Sequence, residues 1–404
     1  MIVNPAHVTS LQGGYKGYAV FGIGQGRNQR FGLIDRNGEI IIHPEFPGFY
    51  VSDGSRYVEF FTTHSYMRPR YFDLATERWI NHDDKHLLWP INGSAGRYFR
   101  IFTRRRSGII DYTGRQILPM KYGYVGCCGG NFIVQNPRSG LFGIVTPDGE
   151  EAVPFSRKYE EVVPGDLDEP TLVEEDGKWF YIDCQGEIIA SKGMPELPTK
   201  VASIYSTKQY IIYSIERGGV IKCGMLDKNG YEIIPPIYDN IFPFNGKYVK
   251  TCMYDSLKDG LKEGLKDLSG NTFFPTESHR ALNPISGDDN LIIVGVPNHT
   301  NPTYSDCGIV RVGTDRTIAE IIPLRYTIPD FNGQGPGWIV AAEREFTRGR
   351  TKPTFRYGIF SLDGQLIVPF EYDDIHAGDD PERIAVCKDG KWFFINLKNE
   401  RTLF

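Results

Sequence analysis

The sequence has no cationic excess, no long apolar run and no paired-cysteine pattern. Lys and Arg number 45 against 50 Asp and Glu, for a formal charge of −5, and no stretch of five or more like charges forms a basic tail. A phosphate backbone would find no global attraction, so nucleic acid is not an expected partner. No apolar segment approaches the roughly eighteen residues that cross a membrane, and the start, Met1-Ile-Val-Asn-Pro-Ala-His-Val, lacks the basic stretch and apolar core of a secretory signal. A cytoplasmic protein is the expectation, with export without a cleaved signal as the alternative. The seven cysteines, Cys127, Cys128, Cys184, Cys223, Cys252, Cys307 and Cys387, include no Cys-x-x-Cys pair, which suits a reducing compartment.

Recognisable catalytic phrases are missing too. There is no Gly-x-Ser-x-Gly and no His-Glu-x-x-His, and most histidines are dispersed. Gly22-Ile-Gly-Gln-Gly26 has the look of a phosphate loop, but a new strand rather than a helix is expected from Phe31, which makes it a hairpin connection. His82-Asp-Asp-Lys-His86 has the i, i+4 spacing of a helical metal site, with Asp83 or Asp84 as a third ligand, yet the stretch has no helical period and reads as a solvated loop. Cys127-Cys128 has no local histidine to activate it and reads as packing. No metal, cofactor or catalytic residue is expected.

What is present is a repeated phrase. Glycine (45) and proline (26) punctuate a chain rich in Phe (25) and Tyr (23), a composition for many short strands. The phrase runs Gly, two apolar residues, a polar residue, two variable residues, Gly, an apolar run, Pro, and often an aromatic. Clear copies are Gly32-Leu-Ile-Asp-Arg-Asn-Gly38 with Pro44 and Phe46, Gly108-Ile-Ile-Asp-Tyr-Thr-Gly114 with Pro119 and Tyr122, Gly224-Met-Leu-Asp-Lys-Asn-Gly230 with Pro235 and Tyr238, and Gly358-Ile-Phe-Ser-Leu-Asp-Gly364 with Pro369 and Tyr372. Looser copies begin at Gly143, Gly264 and Gly308, and a degraded one at Tyr71-Phe-Asp73 has Glu77 where the turn glycine belongs.

Each part has a physical reason. Asp35, Asp111 and Asp227 stand three residues before Gly38, Gly114 and Gly230, where a carboxylate accepts from the turn's own amides while glycine takes the positive φ of a bulged hairpin turn. One carboxylate per turn is too few oxygens for calcium. The proline removes a ladder donor and is expected to end the strand. A third strand precedes each hairpin, as in Tyr15–Phe21, Tyr248–Cys252 and Arg383–Cys387, and such small units must stack to bury both faces.

Two further copies open with aromatic pairs, Asp176-Gly-Lys-Trp-Phe-Tyr-Ile-Asp183 and Asp389-Gly-Lys-Trp-Phe-Phe-Ile-Asn396. With these the chain resembles the WG β-repeat family, whose phrase is Lys-Trp-Gly-aromatic-Ile-Asp. Trp179 and Trp392 keep the tryptophan and lose the glycine, whereas Gly32, Gly143 and Gly358 keep the glycine behind Phe31, Phe142 and Tyr357. The resemblance implies a protein-interaction module rather than a catalyst.

The expected fold is all-β, one continuous array over 1–404 with about ten antiparallel hairpin units starting near 15, 56, 97, 131, 171, 210, 247, 291, 338 and 383. Ten units overfill the usual four to eight propeller blades, so an open curved superhelix or solenoid is expected. One or two propeller-like rings are the alternative, including closure in which Ile2-Val-Asn-Pro5 completes the last unit. Asp35, Gly38, Asp111, Gly114, Trp179, Asp227, Gly230, Gly364 and Trp392 are assigned to the repeat itself.

The expected function is a scaffold or adaptor for a protein partner such as an effector, a toxin or a conflict-system component. Carbohydrate or small-ligand binding stands second, and an enzyme with an unrecognised site third. Binding is expected at interruptions of the repeat, which tend to gather on one face. Candidates are Arg104, Arg105 and Arg106, the acidic run 160–176 with Glu174 and Glu175, and the basic run containing Arg348 and Arg350. Leu257–Leu268 has leucines at helical spacing but two glycines in repeat register, and reads as strand and turn.

Overall fold

The computed structural model describes residue 4 and residues 7–51, 56–63, 69–80, 86–91, 94, 96–155, 159, 161–163, 171–189, 201–207, 209–255, 260–279, 281–285, 288–298, 305–313, 315–328, 334–335, 337–345 and 353–402. They form ten antiparallel sheets, each a meander of three or four strands in chain order. Sheets 1 to 10 span 8–46, 48–79, 87–122, 125–153, 161–182, 201–238, 240–279, 281–326, 334–372 and 374–395. A single 3-10 turn, Gly26–Asn28, follows the glycine-rich stretch, and strand Arg30–Ile34 comes next, so that stretch is a hairpin connection. Strand Gly260–Asp267 likewise takes up most of the leucine-spaced segment. Among the described residues no helix is long and apolar enough to cross a membrane.

The unit is larger than the three strands expected. Before the strands identified from sequence, most units carry one more, as short as Glu161–Val163 or Asp374–His376.

The turn between the third and fourth strands is built as its chemistry requires. Asp35 Oδ1 accepts from the amides of Asn37 (2.9 Å) and Glu39 (2.8 Å), and Asp111, Asp183, Asp227, Asp267 and Asn396 do the same in their own turns. Gly38, Gly114, Gly230 and Gly364 all have φ between 76° and 90°. Glu77, Arg316 and Asn399 occupy the same conformation without being glycine. Arg316 is exposed at φ 68°, so Arg316→Gly is expected to stabilise the fold by on the order of 1 kcal/mol by relieving Cβ strain. A rise in the urea midpoint at constant slope checks this, and an unchanged midpoint would refute it.

The glycine that opens the phrase and the proline that follows form one device. In sheet 3, Ser107 lies opposite Tyr122 but Ile109 opposite Leu118, so the fourth strand bulges between them. The same shift recurs in sheets 1, 6, 8 and 9, and sheet 7 has a wider one, with Glu263 opposite His279 and Leu265 opposite Phe274. At this bulge a methyl on Gly108 would lie 2.7 Å from the Leu118 carbonyl oxygen and 2.9 Å from the Met120 nitrogen. Proline does not end the strand as expected. Pro44 and Pro119 lie inside strands Ile40–Phe46 and Gln116–Tyr122, where the bulge spares them from donating, and the aromatic after them, Phe46 or Tyr122, is buried between sheets. Arg70, Phe180 and Phe393 replace this glycine in sheets 2, 5 and 10. Those sheets have a fourth strand of two residues or none.

Ten apolar clusters each join one sheet to the next. Sheets 5 and 6 meet through Leu172, Trp179 and Tyr181 against Ile211, Tyr213 and Leu226, so the chain does not divide into two rings of five. Sheet 10 returns to sheet 1: Ala385, Cys387, Trp392 and Phe394 pack on Val8, Leu11, Ala19 and Phe21. The molecule is therefore a closed ten-bladed, propeller-like ring, which corrects the open superhelix or solenoid. Local repeat chemistry builds blades, but the angle between successive blades is set by the side chains packed between them.

The seam closes by packing and a few polar contacts, with no strand of sheet 1 added to sheet 10. Arg383 Nη1 donates to the carbonyls of Gly17 (3.1 Å) and Asp35 (2.9 Å), and Lys16 N donates to Asp379 Oδ1 (3.0 Å). Of the first residues expected to complete the last unit, Ile2, Val3 and Pro5 lie outside the described residues.

Candidate functional site

The ring has two unlike faces. Connections between first and second strands share one face with the capped turns, and there they hold the neighbouring sheet: Tyr18 Oη donates to Glu77 (2.5 Å), Asn131 Nδ2 to the Cys184 carbonyl (2.9 Å) and Asn245 Nδ2 to the Asp289 carbonyl (2.6 Å). Connections between second and third strands emerge on the opposite face.

Arg104, Arg105 and Arg106 sit in such a connection of sheet 3, exposed, in a turn where Thr103 Oγ1 accepts from the amides of Arg105 (3.4 Å) and Arg106 (3.2 Å). Glu174 and Glu175 end strand Thr171–Glu175 of sheet 5 on the same face, half-buried. Arg348 and Arg350 lie outside the described residues, between strands Trp338–Glu345 and Thr354–Ser361. The structure does not gather these candidates into one site, since sheet 4 separates sheets 3 and 5. Residues 160 and 164–170 of the acidic run also lie outside the described residues.

Trp179 and Trp392 are buried between sheets. Burial pushes the Cys127 and Cys128 thiols up to about 11, far from thiolate reactivity. His82 lies outside the described residues, and among those described no three His, Cys, Asp or Glu side chains converge as a metal site.

The sequence reading missed a cavity in the degraded unit. Strand Tyr57–Phe61 of sheet 2 reads Tyr-Val-Glu-Phe-Phe, and alternation puts Glu59 on the same face as Tyr57 and Phe61. Register places Glu59 between Tyr50 on one neighbouring strand and Tyr71 on the other. Phe49, Phe61 and Pro69 extend the lining, and Trp89 and Pro90 of sheet 3 complete it around about 460 Å³. Tyr50 and Trp89 are about half exposed, so the space is open to solvent. Phe61 and Pro69 face each other next to the connection between second and third strands, which puts the cavity on the same side as the arginine turn. A carboxylate inside an otherwise aromatic strand was the available signal, obscured because this unit lacks the repeat's glycines.

Burial alone pushes the Glu59 carboxyl from its ordinary 4.5 up to about 7. Because the folded state holds this proton more tightly than the unfolded chain, the stability it contributes is full below about pH 4.5 and lost as pH rises through about 7. Glu59→Gln is therefore expected to leave stability unchanged at pH 4 and raise it at pH 8 by on the order of 1–2 kcal/mol, after discounting for partial exposure. Urea titrations at the two pH values check this, and equal effects at both would contradict it.

A second cavity, of about 840 Å³, lies at the seam among Arg36, Asp380, Glu382, Arg383, Arg401 and Thr402. Two Arg383 nitrogens, Nε and Nη2, have no hydrogen-bond partner there, while Nη1 is committed to closing the ring.

Residues 31–53, 224–255 and 357–392 match the model of a family described as WG containing repeat. No curated protein matches the chain. Among solved structures, a eukaryotic initiation factor aligns at 10% identity and TM-score 0.47, covering 88% of this chain and 94% of that one. The β-propeller domain of the Trilobed protease from Pyrococcus furiosus aligns at 13% identity and TM-score 0.37, covering 65% and 95%.

Proposed function

We propose, from the premise that the chain belongs to the WG-repeat family, that it is a non-catalytic scaffold holding a protein partner across the face that carries the connections between second and third strands. The observation that supports this most is the unequal use of the two faces. One is occupied by capped turns hydrogen-bonded to their neighbours, whereas the other presents Arg104, Arg105 and Arg106 to solvent beside an open aromatic cavity. Exposed arginines and aromatics are the residue types that dominate protein interfaces. The seven cysteines, none of them in a disulfide, support a reducing compartment.

Affinity capture from the native host at low salt, followed by mass spectrometry, tests the reading. One reproducible partner, lost when Arg104, Arg105 and Arg106 are all changed to Ser, is the expected result; no reproducible partner at low salt would overturn it. The aromatic cavity favours a second reading, recognition of a carbohydrate or other small ligand, since its size is in the range of small-molecule sites. A glycan array, with a ligand-induced melting shift, separates the two.

A further inference from the structure

We propose that the cavity between sheets 2 and 3 receives the cationic end of a lysine or arginine side chain presented by the partner protein, with Glu59 as its counter-ion and the surrounding aromatic rings as its walls. The proposal rests on the protein-binding reading and assigns this site its ligand chemistry.

Carboxylates elsewhere in the fold show what such a group requires. Asp73 is fully buried and takes a two-pronged bond from Arg56, Nε at 2.8 Å and Nη2 at 2.6 Å. Glu263 is held by Lys250 (2.9 Å), Asp239 by Lys222 (2.5 Å), Glu371 by Lys388 (2.6 Å), and Asp306 by Arg344. In each case a carboxylate drawn partly or wholly from water has been given a cation by a nearby segment of the same or the adjoining sheet, as its desolvation requires. Glu59, in the middle of its strand, differs from these. It has no hydrogen-bond or ion-pair partner among the described residues, and burial is the only influence on its carboxyl. Among the described residues the cavity lining contains no Lys, Arg or His.

The neighbours then narrow the missing group. A phosphate or carboxylate would meet Glu59 as a like charge. A neutral sugar could stack on the rings but would leave the carboxylate without its charge partner. An ammonium or guanidinium on an apolar stem satisfies both features, because cations are drawn to aromatic faces and the stem fills apolar space. About 460 Å³, open to solvent, admits such a side chain while the rest of the partner stays on the ring surface. The arginine turn of sheet 3 repels a uniformly basic partner, so the group expected is a single basic side chain within a segment that is otherwise acidic or neutral.

Ionised Glu59 is the binding form. Among the described residues the titratable groups facing it are Tyr50 from the first strand of sheet 2 and Tyr71 from the third, while sheet 3 contributes Trp89 and Pro90. Tyr71 is buried, and burial first, then the Glu59 charge, raises its hydroxyl, so this phenol supplies no competing negative charge near neutrality. Affinity is therefore expected to rise between pH 5.5 and pH 8, with a proton released on binding at the lower end.

The test titrates the full chain with acetyl-Gly-Lys-Gly-amide, its glutamine counterpart, choline and cellobiose, following the indole signal of Trp89 at pH 5.5 and pH 8. The lysine peptide is expected to bind, the glutamine peptide not, and Glu59→Gln to weaken binding at least about tenfold at pH 8 while leaving the urea midpoint no lower. Equal response to both peptides, or binding untouched by Glu59→Gln, overturns the proposal. Choline alone overturns the partner side chain as its source, and cellobiose alone overturns the cation. Capture of a partner by the wild-type ring that Glu59→Gln does not weaken ends this proposal and leaves the protein-binding reading standing. Failure of the wild-type ring to capture any partner removes that reading, whatever the peptides do.

Discussion

Gly108→Ala is expected to cost about 3 kcal/mol, an unusually large effect for a single methyl on a strand. The atoms it meets are the Leu118 carbonyl oxygen and the Met120 nitrogen, both backbone, so no side-chain rotamer relieves the clash. Relief requires opening the bulge, which would also move Leu118, a core residue with no exposure, and Tyr122, which seals the contact with sheet 4. Gly130→Ala is the control: its φ is not positive and a methyl there has nothing within 4 Å, so a change within about 0.5 kcal/mol is expected. Urea midpoints and amide exchange in sheet 3 give the comparison. If both substitutions behave alike, the glycine is not a packing device.

Phe394→Ala is expected to cost about 3–5 kcal/mol, as much as Phe132→Ala deep in the array. Both rings are fully buried, Phe132 between sheets 3 and 4 and Phe394 between sheets 10 and 1. In an open array the last unit has one neighbour and frays alone, so a cavity there would barely move the main transition. In a closed ring it has two neighbours, and a cavity at the seam weakens both ends of the chain together. Hydrogen exchange should therefore show wild-type sheets 1 and 10 protected like sheet 3, with Phe394→Ala exposing both. Rapid exchange of sheet 10 in the wild type would contradict closure.

The sequence made the repeat chemistry readable and left the long-range geometry hidden. Asp35, Asp111 and Asp227 with their glycines announce a capped turn within four residues, and the structure builds those turns. Strands such as Glu161–Val163 and Asp374–His376 are too short to carry a period of two. Closure depends on Phe21 meeting Phe394, a contact with no local signal at either residue. Pro44 was misread because a proline inside a bulge and one at a strand end look the same along the chain. Glu59 was passed over because its unit was judged by the glycines it lacks rather than by the charge placed among its aromatics.

The seam also bears on chain entropy. Arg383 and Gly17, which it joins, are 366 residues apart, whereas each other joint connects consecutive sheets. Chain-closure entropy grows only with the logarithm of loop length, so shutting the ring costs about 2 kcal/mol more than forming an ordinary joint. That penalty is small enough for the apolar cluster at the seam to offset, so this joint holds as its neighbours do despite the distance along the chain.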